Sequence, residues 1–319
     1  MGQYVFRRLL AIVPTIILVS LFVFFIMRVM PGDVALLMLA GPDSDQNYTE
    51  EQLNTVRERL GLNDSLPVQY ANWVRDLFVN KGGKSLQTGE PVYDELARRM
   101  PLTLQLTITS ILLAHVIAIP AGVYSALKRN TTGDYAFRFV SMIGLATPNF
   151  WIGILIILVL LKVFDYAIPL AYASPFQDPW KNFQQQVFPT LVLGSALSAT
   201  VARMTRATML EVLREDYVRT ARAKGLRESR VIMRHVLRNS ILPVMTLSAL
   251  QLGFLISGSV VTERVFSLPG LGRYVVDAIF QRDYIVVQTL VLFFGLAYML
   301  INLATDIAYA VVDPRIRYR

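Results

Sequence analysis

The chain has 319 residues, of which 54% are hydrophobic and 17% are charged, and its formal net charge is +8. A soluble globular domain carries about 25% charged residues, so this composition and a mean hydropathy of +0.46 indicate a membrane protein. The sequence has no cysteine, which excludes a disulfide framework, thiolate chemistry and a cysteine-based metal site.

Six long stretches contain no Asp, Glu, Lys or Arg, and each has 19 or more residues. A helix needs about 20 apolar residues to cross roughly 30 Å of hydrocarbon, and a backbone in lipid must satisfy its own hydrogen bonds. We therefore predict an all-α integral membrane protein with six transmembrane helices, at residues 9–27, 100–127, 139–161, 182–202, 239–262 and 284–305.

The first stretch follows two arginines, as the apolar core of a signal peptide would. It is longer than such a core, and Met30-Pro-Gly-Asp33 stands where a small-x-small cleavage site is expected, so we predict a retained N-terminal transmembrane helix, residues 1–30. Residues 31–98 are predicted to be an extracytoplasmic segment, small and polar for an independent domain. It contains two predicted short helices, Glu50–Leu60 and Pro67–Phe78. The membrane core should then occupy residues 99–311, followed by a cytoplasmic tail, 312–319.

The second stretch begins with a pattern that fits either a strand or a helix. Residues 101–109 read Pro-Leu-Thr-Leu-Gln-Leu-Thr-Ile-Thr, which alternates apolar and polar residues as a strand does. The pattern runs into a long apolar sequence without a turn signal, so one helix explains both halves. We interpret its Thr and Gln side chains as helix residues that face neighbouring helices, where small polar groups pack and hydrogen-bond.

The distribution of Lys and Arg predicts the orientation, because cytoplasmic loops carry an excess of cations. With the N-terminus inside, the inner segments hold two, three, ten and three cations, and the short outer segments hold two and three. Both termini are therefore predicted to be cytoplasmic. The ten cations lie in residues 203–238; in the simplest interpretation they only enforce topology and touch anionic headgroups.

The same basic stretch has the residue order of two helices joined by a turn. Acidic residues come early in Glu211–Lys224 and basic residues come late, which complements a helix dipole. Gly225 stands where a helix end favours a left-handed residue. A second helix is predicted at Glu228–Leu237, leading to Pro243 in the first turn of the fifth transmembrane helix.

The segment Asp216-Tyr-Val-Arg-Thr-Ala-Arg-Ala-Lys-Gly-Leu226 resembles the EAA loop of type I ABC importer permeases, in its oligopeptide/dipeptide form. Arg219-Thr-Ala221 stands for Glu-Ala-Ala, and Ile241-Leu-Pro243 comes later than in the general pattern, two departures that are usual in the peptide subfamily. The resemblance covers almost the whole chain and is to the first of the two permeases in such systems. Further matching motifs include Phe6-Arg-Arg-Leu9, Pro31-Gly-Asp33, Glu263–Gly272 and Asp313–Arg317.

This resemblance implies the type I ABC importer permease fold and half of a translocation pathway for peptides or similar small solutes. The implied partners are a second homologous permease, two ATP-binding subunits, an extracytoplasmic solute-binding protein and membrane lipid, with no nucleic acid, in the bacterial inner membrane. The chain is expected to bind no cofactor and to be no enzyme, because the ATP-binding subunits would hold ATP and Mg²⁺. Its fragment Gly82-Gly-Lys-Ser85 lacks the Gly at position 78 that a phosphate loop needs.

Energy would then arrive through the cytoplasmic helix pair. By the resemblance, the residues expected to contact an ATP-binding subunit are Asp216, Tyr217, Arg219, Ala221, Lys224, Gly225 and Leu226. The small and apolar ones, Ala221, Gly225 and Leu226, would fit a groove, and the charged ones would set the register. Arg222 and Lys224 are equally well explained as partners of the helix dipole.

Two further groups of residues have a functional and a plain structural interpretation. Possible pathway-lining residues in the fourth stretch are Ser195, Ser198 and Thr200, although close helix packing explains them better. A tight turn before the last transmembrane helix is placed near an outer gate by the resemblance, and a simple connecting loop explains it equally well. Its residues are Leu268, Pro269 and Gly270.

Two other classes of function are weighed against the importer. An ion-coupled secondary transporter would show inverted repeats and ionisable residues at mid-membrane, and we find no clear repeat and few such residues, chiefly His115 and Asp306. A membrane enzyme would need a nucleophile–His–acid set or a metal cluster, and neither is visible around His115 or His235. The cargo stays open among peptides, a nickel complex, glutathione and other small solutes.

Overall fold

The structure, a computed structural model, describes residues 2–29, 49–59 and 61–312, where helices dominate and the one isolated bridge joins Lys84 to Pro91. The helices are α1 (Gly2–Val29), α2 (Glu50–Arg59), α3 (Leu66–Val79), α4 (Val92–Leu127), α5 (Thr132–Ala146), α6 (Asn149–Val163), α7 (Pro179–Val212), α8 (Asp216–Ala223), α9 (Glu228–Arg230), α10 (Arg238–Gly258), α11 (Val260–Val265), α12 (Leu271–Phe280) and α13 (Tyr284–Val312). A π-helix, Val231–Leu237, joins α9 to α10. Pro31-Gly-Asp33, Leu60 and the tail from residue 313 lie outside the described residues.

Within the described ranges, four helices are long and apolar enough to cross a membrane. They are Arg8–Val29, Val92–Leu127, Pro179–Val212 and Tyr284–Ile307, and they match the first, second, fourth and sixth predicted helices. The prediction of one continuous third helix is corrected, because α5 and α6 meet at 95°. Thr147 is extended (φ −88°, ψ 124°) since the following Pro148 disfavours helical backbone before it. With the bent pair the count is five at most, so the predicted six are not confirmed.

The chain divides into two compact units, Met1–Pro101 with Pro269–Met299, and Leu102–Leu268 with Leu300–Arg319. In the first unit, the start of α4 packs on α12 and α13, and Val92 and Leu290 are fully buried in that cluster. α1 packs on α3, where the rings of Phe24 and Trp73 stack with centroids 6.2 Å apart. The presence of α2 and α3 confirms the two short helices predicted after α1.

The Gly-Gly-Lys-Ser fragment is a structural turn of the first unit. Gly82 and Gly83 have φ of +82° and +81°, and a Cβ on Gly82 would lie 2.6 Å from the Tyr93 ring. Ser85 Oγ donates to Asp283 Oδ2 (2.5 Å), and Asp283 Oδ1 in turn accepts from the backbone N–H of Val286 in the first turn of α13. The glycines therefore permit a tight turn that is anchored at the start of α13.

The second unit is a bundle in which α4 and α7 share polar contacts. Gln105 Nε2 donates to Asn182 Oδ1 (2.6 Å), and the hydroxyls of Thr109 and Thr190 are 2.9 Å apart. The alternating pattern at residues 101–109 is thus helical, and its polar side chains face a neighbouring helix, as predicted. Inside a membrane such contacts satisfy groups that would otherwise lack partners.

Candidate functional site

The basic stretch after α7 forms a short helix, a glycine turn and a second helix. The predicted helix Glu211–Lys224 is interrupted, because α7 ends at Val212 and α8 begins at Asp216. The N–H of Arg214 donates to Glu211 O (3.1 Å), which tightens the last turn of α7. After the interruption, Val218 of α8 joins the apolar cluster that contains Met209 of α7, with both side chains fully buried. Burial of these apolar side chains decides the break, which charge order alone could not predict.

The end of α8 has the hydrogen bonds of a Schellman motif. The φ of Gly225 is +74°, its N–H donates to Arg222 O (2.9 Å), and the N–H of Leu226 donates to Ala221 O (3.4 Å). Leu226 also packs with Ala221 in the same apolar cluster, the contact that usually accompanies this motif. The prediction of a left-handed residue at Gly225 is confirmed.

The second helix runs into the helix that follows it without a break. α9, the π-helix and α10 are continuous, so the predicted separate helix Glu228–Leu237 is corrected, and Pro243 lies inside α10 instead of in a first turn. Hydrogen bonds of a π-helix link residues five apart, which brings Val231 and Val236 towards one face; in an α-helix they would lie far apart around the axis. Both are fully buried against α7 and α8.

Five of the seven residues singled out from the sequence are exposed. The side chains of Asp216 and Arg219 are 93% and 72% exposed and form an ion pair at 3.3 Å. Tyr217 is 42% exposed, and its hydroxyl accepts a hydrogen bond from the Asn239 side chain. Lys224 and Gly225 complete this group. These five exposed residues lie on α8 and its C-terminal turn, with the buried Val218 and Ala221 between them, and we call them the exposed side of α8.

The other two residues, Ala221 and Leu226, are buried or partly buried in the chain's own bundle. Ala221 is 6% exposed and Leu226 is partly buried, and both belong to the cluster around Val218 and Met209. Ala221 lies three residues after Val218, a spacing that places both on one helix face. The small side chain of Ala221 lets α8 approach its own bundle, and its contact with a groove on another protein stays a prediction.

An ion pair between Arg222 and Glu228 closes the glycine turn, and the sequence did not reveal it. Arg222 Nη2 donates to Glu228 Oε1 (2.7 Å) and Nε donates to Oε2 (3.1 Å). These hydrogen bonds lower the pKa of Glu228 and raise the pKa of Arg222. Arg222 thus has a specific partner beyond the helix dipole. A spacing of six residues across a turn belongs to no helical period, so no pattern in the sequence could indicate it.

Comparison with known proteins decides the family. The family model described as "Binding-protein-dependent transport system inner membrane component" matches residues 118–318, and the model for the N-terminal part of such membrane components matches residues 1–107. The chain belongs to this family.

Curated relatives and solved structures agree with this membership. The permease is 41% identical over 320 residues to the glutathione transport system permease protein GsiC of Escherichia coli K12, with both chains covered completely. It is 40% identical over 320 residues to the protein of the same name from Shigella flexneri serotype 5b, again over 100% of both chains. The inward-facing MetNI methionine ABC transporter matches with a TM-score of 0.55 and 21% identity, over 70% of this chain and 99% of that chain, which shows a common fold.

The chain is therefore a permease subunit of an ABC importer, with the fold of a type I importer permease, as the EAA-like segment predicted. The family contains transport subunits whose ATPase resides in partner proteins. An ion-coupled secondary transporter, the alternative weighed from the sequence, is not supported.

The possible pathway residues of the permease lie on α7, close to α4. The hydroxyls of Ser195 and Ser198 donate to backbone carbonyls of their own helix (3.0 and 2.6 Å), and Ser198 is only 9% exposed. Thr200 is partly buried. A Cβ on Gly194 would lie 2.8 Å from Leu113 Cδ2, so the small residues of this region allow close helix packing.

The possible outer gate is a tight turn followed by a helix, as its residues predicted. Leu268 is 2% exposed, and its N–H donates to Glu263 O (2.8 Å) directly after Ser267, whose φ is +54°. Pro269 and Gly270 then lead into α12.

His115 is held by two hydrogen bonds. Its Nδ1 lies 2.7 Å from Ile111 O, and its Nε2 lies 2.6 Å from Ser248 Oγ. These contacts support its interpretation as a hydrogen-bonded packing residue. In the part of the chain that the structure describes, no group of three His, Asp or Glu side chains could hold a metal ion.

Proposed function

We propose that this permease carries short peptides or peptide-like solutes, glutathione among them, and that a second homologous permease supplies the other half of the pathway. Full-length identity of 41% to permeases named for glutathione transport supports this class of cargo. An extracytoplasmic binding protein would select the solute and deliver it near Leu268, Pro269 and Gly270.

We further propose that the exposed side of α8 docks into a groove of an ATP-binding subunit, one of two that bind ATP and Mg²⁺. The observation that carries this proposal is that α8 has one exposed side and one side buried in the bundle. Arg219 is exposed, whereas Val218 beside it is fully buried in the bundle. Because packed interiors resist deformation, an exposed surface on a helix whose other side is packed in the bundle moves together with the bundle. Asp216, Arg219 and Lys224 would fix the position of α8 in the groove, and Ala221 would pack α8 against its own bundle.

The excess of cations in residues 203–238 supports a cytoplasmic position for this surface, with both termini on the same side of the inner membrane. The polar segment that contains α2 and α3 would then lie outside.

Co-purification tests these proposals. The permease is expressed with its neighbouring subunits, reconstituted in vesicles and assayed for ATPase activity with candidate binding proteins and with glutathione or dipeptides. Arg219→Glu should lower the stimulated ATPase activity about fivefold or more, the usual scale of coupling between sites, because it reverses a charge on the docking surface. Arg75→Glu changes an exposed arginine of α3 and should have no effect. A stable complex without ATPase activity, or an Arg219→Glu variant with full stimulation, would contradict the docking proposal.

A further inference from the structure

We propose that a buried ion pair between Asp134 and Arg206 is the joint through which α8 moves the bent helix pair α5–α6. This inference rests on the proposed docking at α8 and extends it to two positioning residues inside the bundle.

The carboxylate of Asp134 is saturated with donors from three directions. The residue lies in the first turn of α5 and is fully buried. Arg206 of α7 donates from Nε to Oδ1 (2.8 Å) and from Nη2 to Oδ2 (2.9 Å), a bidentate arrangement. Ser125 near the end of α4 donates to Oδ1 (2.6 Å), and the N–H of Asn130 donates to Oδ2 (3.0 Å). One side chain thus binds the ends of α4, α5 and α7 together.

Stability alone is a poor explanation for this pair. Removing two charges from water is costly, and apolar side chains of similar volume often stabilise a protein as well or better. A bidentate arginine–carboxylate pair adds a fixed direction and distance between its helices. Asp134 is buried while the Arg206 side chain is 18% exposed, so the pair holds α5 against α7 in one orientation.

The C-terminal parts of α4 and α7 also pack against α8. Ala126 follows Ser125, and Met209 lies one turn after Arg206; both belong to the cluster that seats Val218. The backbones of α4 and α7 touch here, since a Cβ on Gly122 would lie 2.7 Å from Ala202 O. α4 and α7 are therefore in close contact at this level, and a displacement of α8 would reach Arg206 through Met209 and Ala126.

The helix pair leads from the ion pair towards the possible outer gate. α5 ends at the 95° bend, and α6 continues to Gly153, where a Cβ would lie 3.1 Å from the side chains of both Val265 and Phe266. Phe266 is two residues before Leu268, and both are buried in one cluster. A shift of α5 imposed by Asp134 would thus be passed to the segment before Leu268.

Transport per ATP hydrolysed is the first readout in the reconstituted importer. Asp134→Asn removes the charge and the bidentate pairing, and Arg206→Lys keeps the charge without the planar fork. Each should lower transport per ATP about tenfold, within the range usual for coupling between sites, with the ATP-binding subunits still associated. Asp94→Asn is the matched control, because it breaks the exposed pair Lys81–Asp94 (3.1 Å) of the first unit and should leave the ratio unchanged.

The second readout is a distance, which a merely stabilising role would not change. Because the chain has no cysteine, Thr220→Cys on α8 and Phe139→Cys on α5, both at exposed positions, can be spin-labelled alone. With Asp134 intact, the distance should be narrow and equal with and without nucleotide, because the joint holds α5 to α8. With Asp134→Asn it should broaden and depend on nucleotide.

Arg206→Lys replaces Asp134→Asn in this measurement if the latter fails to assemble. Transport per ATP at the original value, with the same narrow distance in the variant, would overturn the joint while leaving the docking proposal standing. Absence of stimulated ATPase activity in the unmodified assembly would instead overturn the docking proposal, and the joint with it.

Discussion

At the scale of single residues, Gly225 is the position where backbone conformation matters most for the proposed docking surface. Its φ of +74° lies in the left-handed region, and no atom stands within 4 Å of an added Cβ. A substitution there would therefore act through backbone strain alone. Gly89 has the same properties, with φ +73° and open space around it, but it lies in the turn before α4.

Gly225→Ala and Gly89→Ala should each destabilise the permease by about 1 kcal/mol, the usual cost of left-handed backbone for an L-residue. Thermal unfolding of the purified chain measures this. Only Gly225→Ala should also lower binding-protein-stimulated ATPase activity in the importer, because it distorts the turn that ends α8. Equal loss of stimulation in the two variants would show that general stability, and not the turn, is responsible.

At the scale of elements, the turn between α8 and α9 is closed by charge as well as by glycine. Arg222 and Glu228 are 42% and 53% exposed, so the pair contributes less than about 1 kcal/mol. We expect the main effect of this pair to be that it fixes the angle at which α8 meets the continuous helix that follows.

Because pairing lowers the pKa of Glu228, its stabilising contribution is present above the usual glutamate pKa of about 4.3 and is lost as the pH falls through the lower value of the folded state. Glu228→Gln should therefore lower the melting temperature at neutral pH, and the difference from the unmodified chain should vanish in acid. Melting curves between neutral and acidic pH measure this. Glu58→Gln, at an exposed position of α2, should show a smaller difference with little pH dependence. A Glu228→Gln difference that persists in acid would rule out the ion pair as its source.

At the scale of the whole molecule, the proposed orientation in the membrane rests on the cation count, and the cysteine-free sequence allows a direct test. Thr88 precedes α4 and Thr220 lies on α8, and both are exposed. The proposed orientation places them on opposite sides of the membrane.

A membrane-impermeant maleimide should label Thr88→Cys in intact cells. Thr220→Cys should react only after permeabilisation, because α8 is proposed to face the cytoplasm. The unmodified chain, which has no thiol, is the control for background labelling. The reverse pattern would invert the orientation and remove α8 from the reach of any ATP-binding subunit.

Much of the fold was predictable because it depends on local chemistry. Apolar length predicted four of the membrane helices, and the glycine position predicted the end of α8. The bend at Thr147–Pro148 had a local signal, but the apolar sequence continues across it and suggested one helix. The break at Leu213–Glu215 had no such signal, since it exists to bury Val218 beside Met209.

By itself, the sequence determined that this is a membrane permease with a basic segment between its fourth and fifth apolar stretches, because composition, apolar length and motif order are properties of the chain alone. Only the tertiary structure decided which side of α8 faces out, that Glu228 pairs with Arg222, and that Asp134 meets Arg206 across 72 residues. Contacts of this kind depend on how helices pack, and packing brings together residues whose spacing along the chain follows no period.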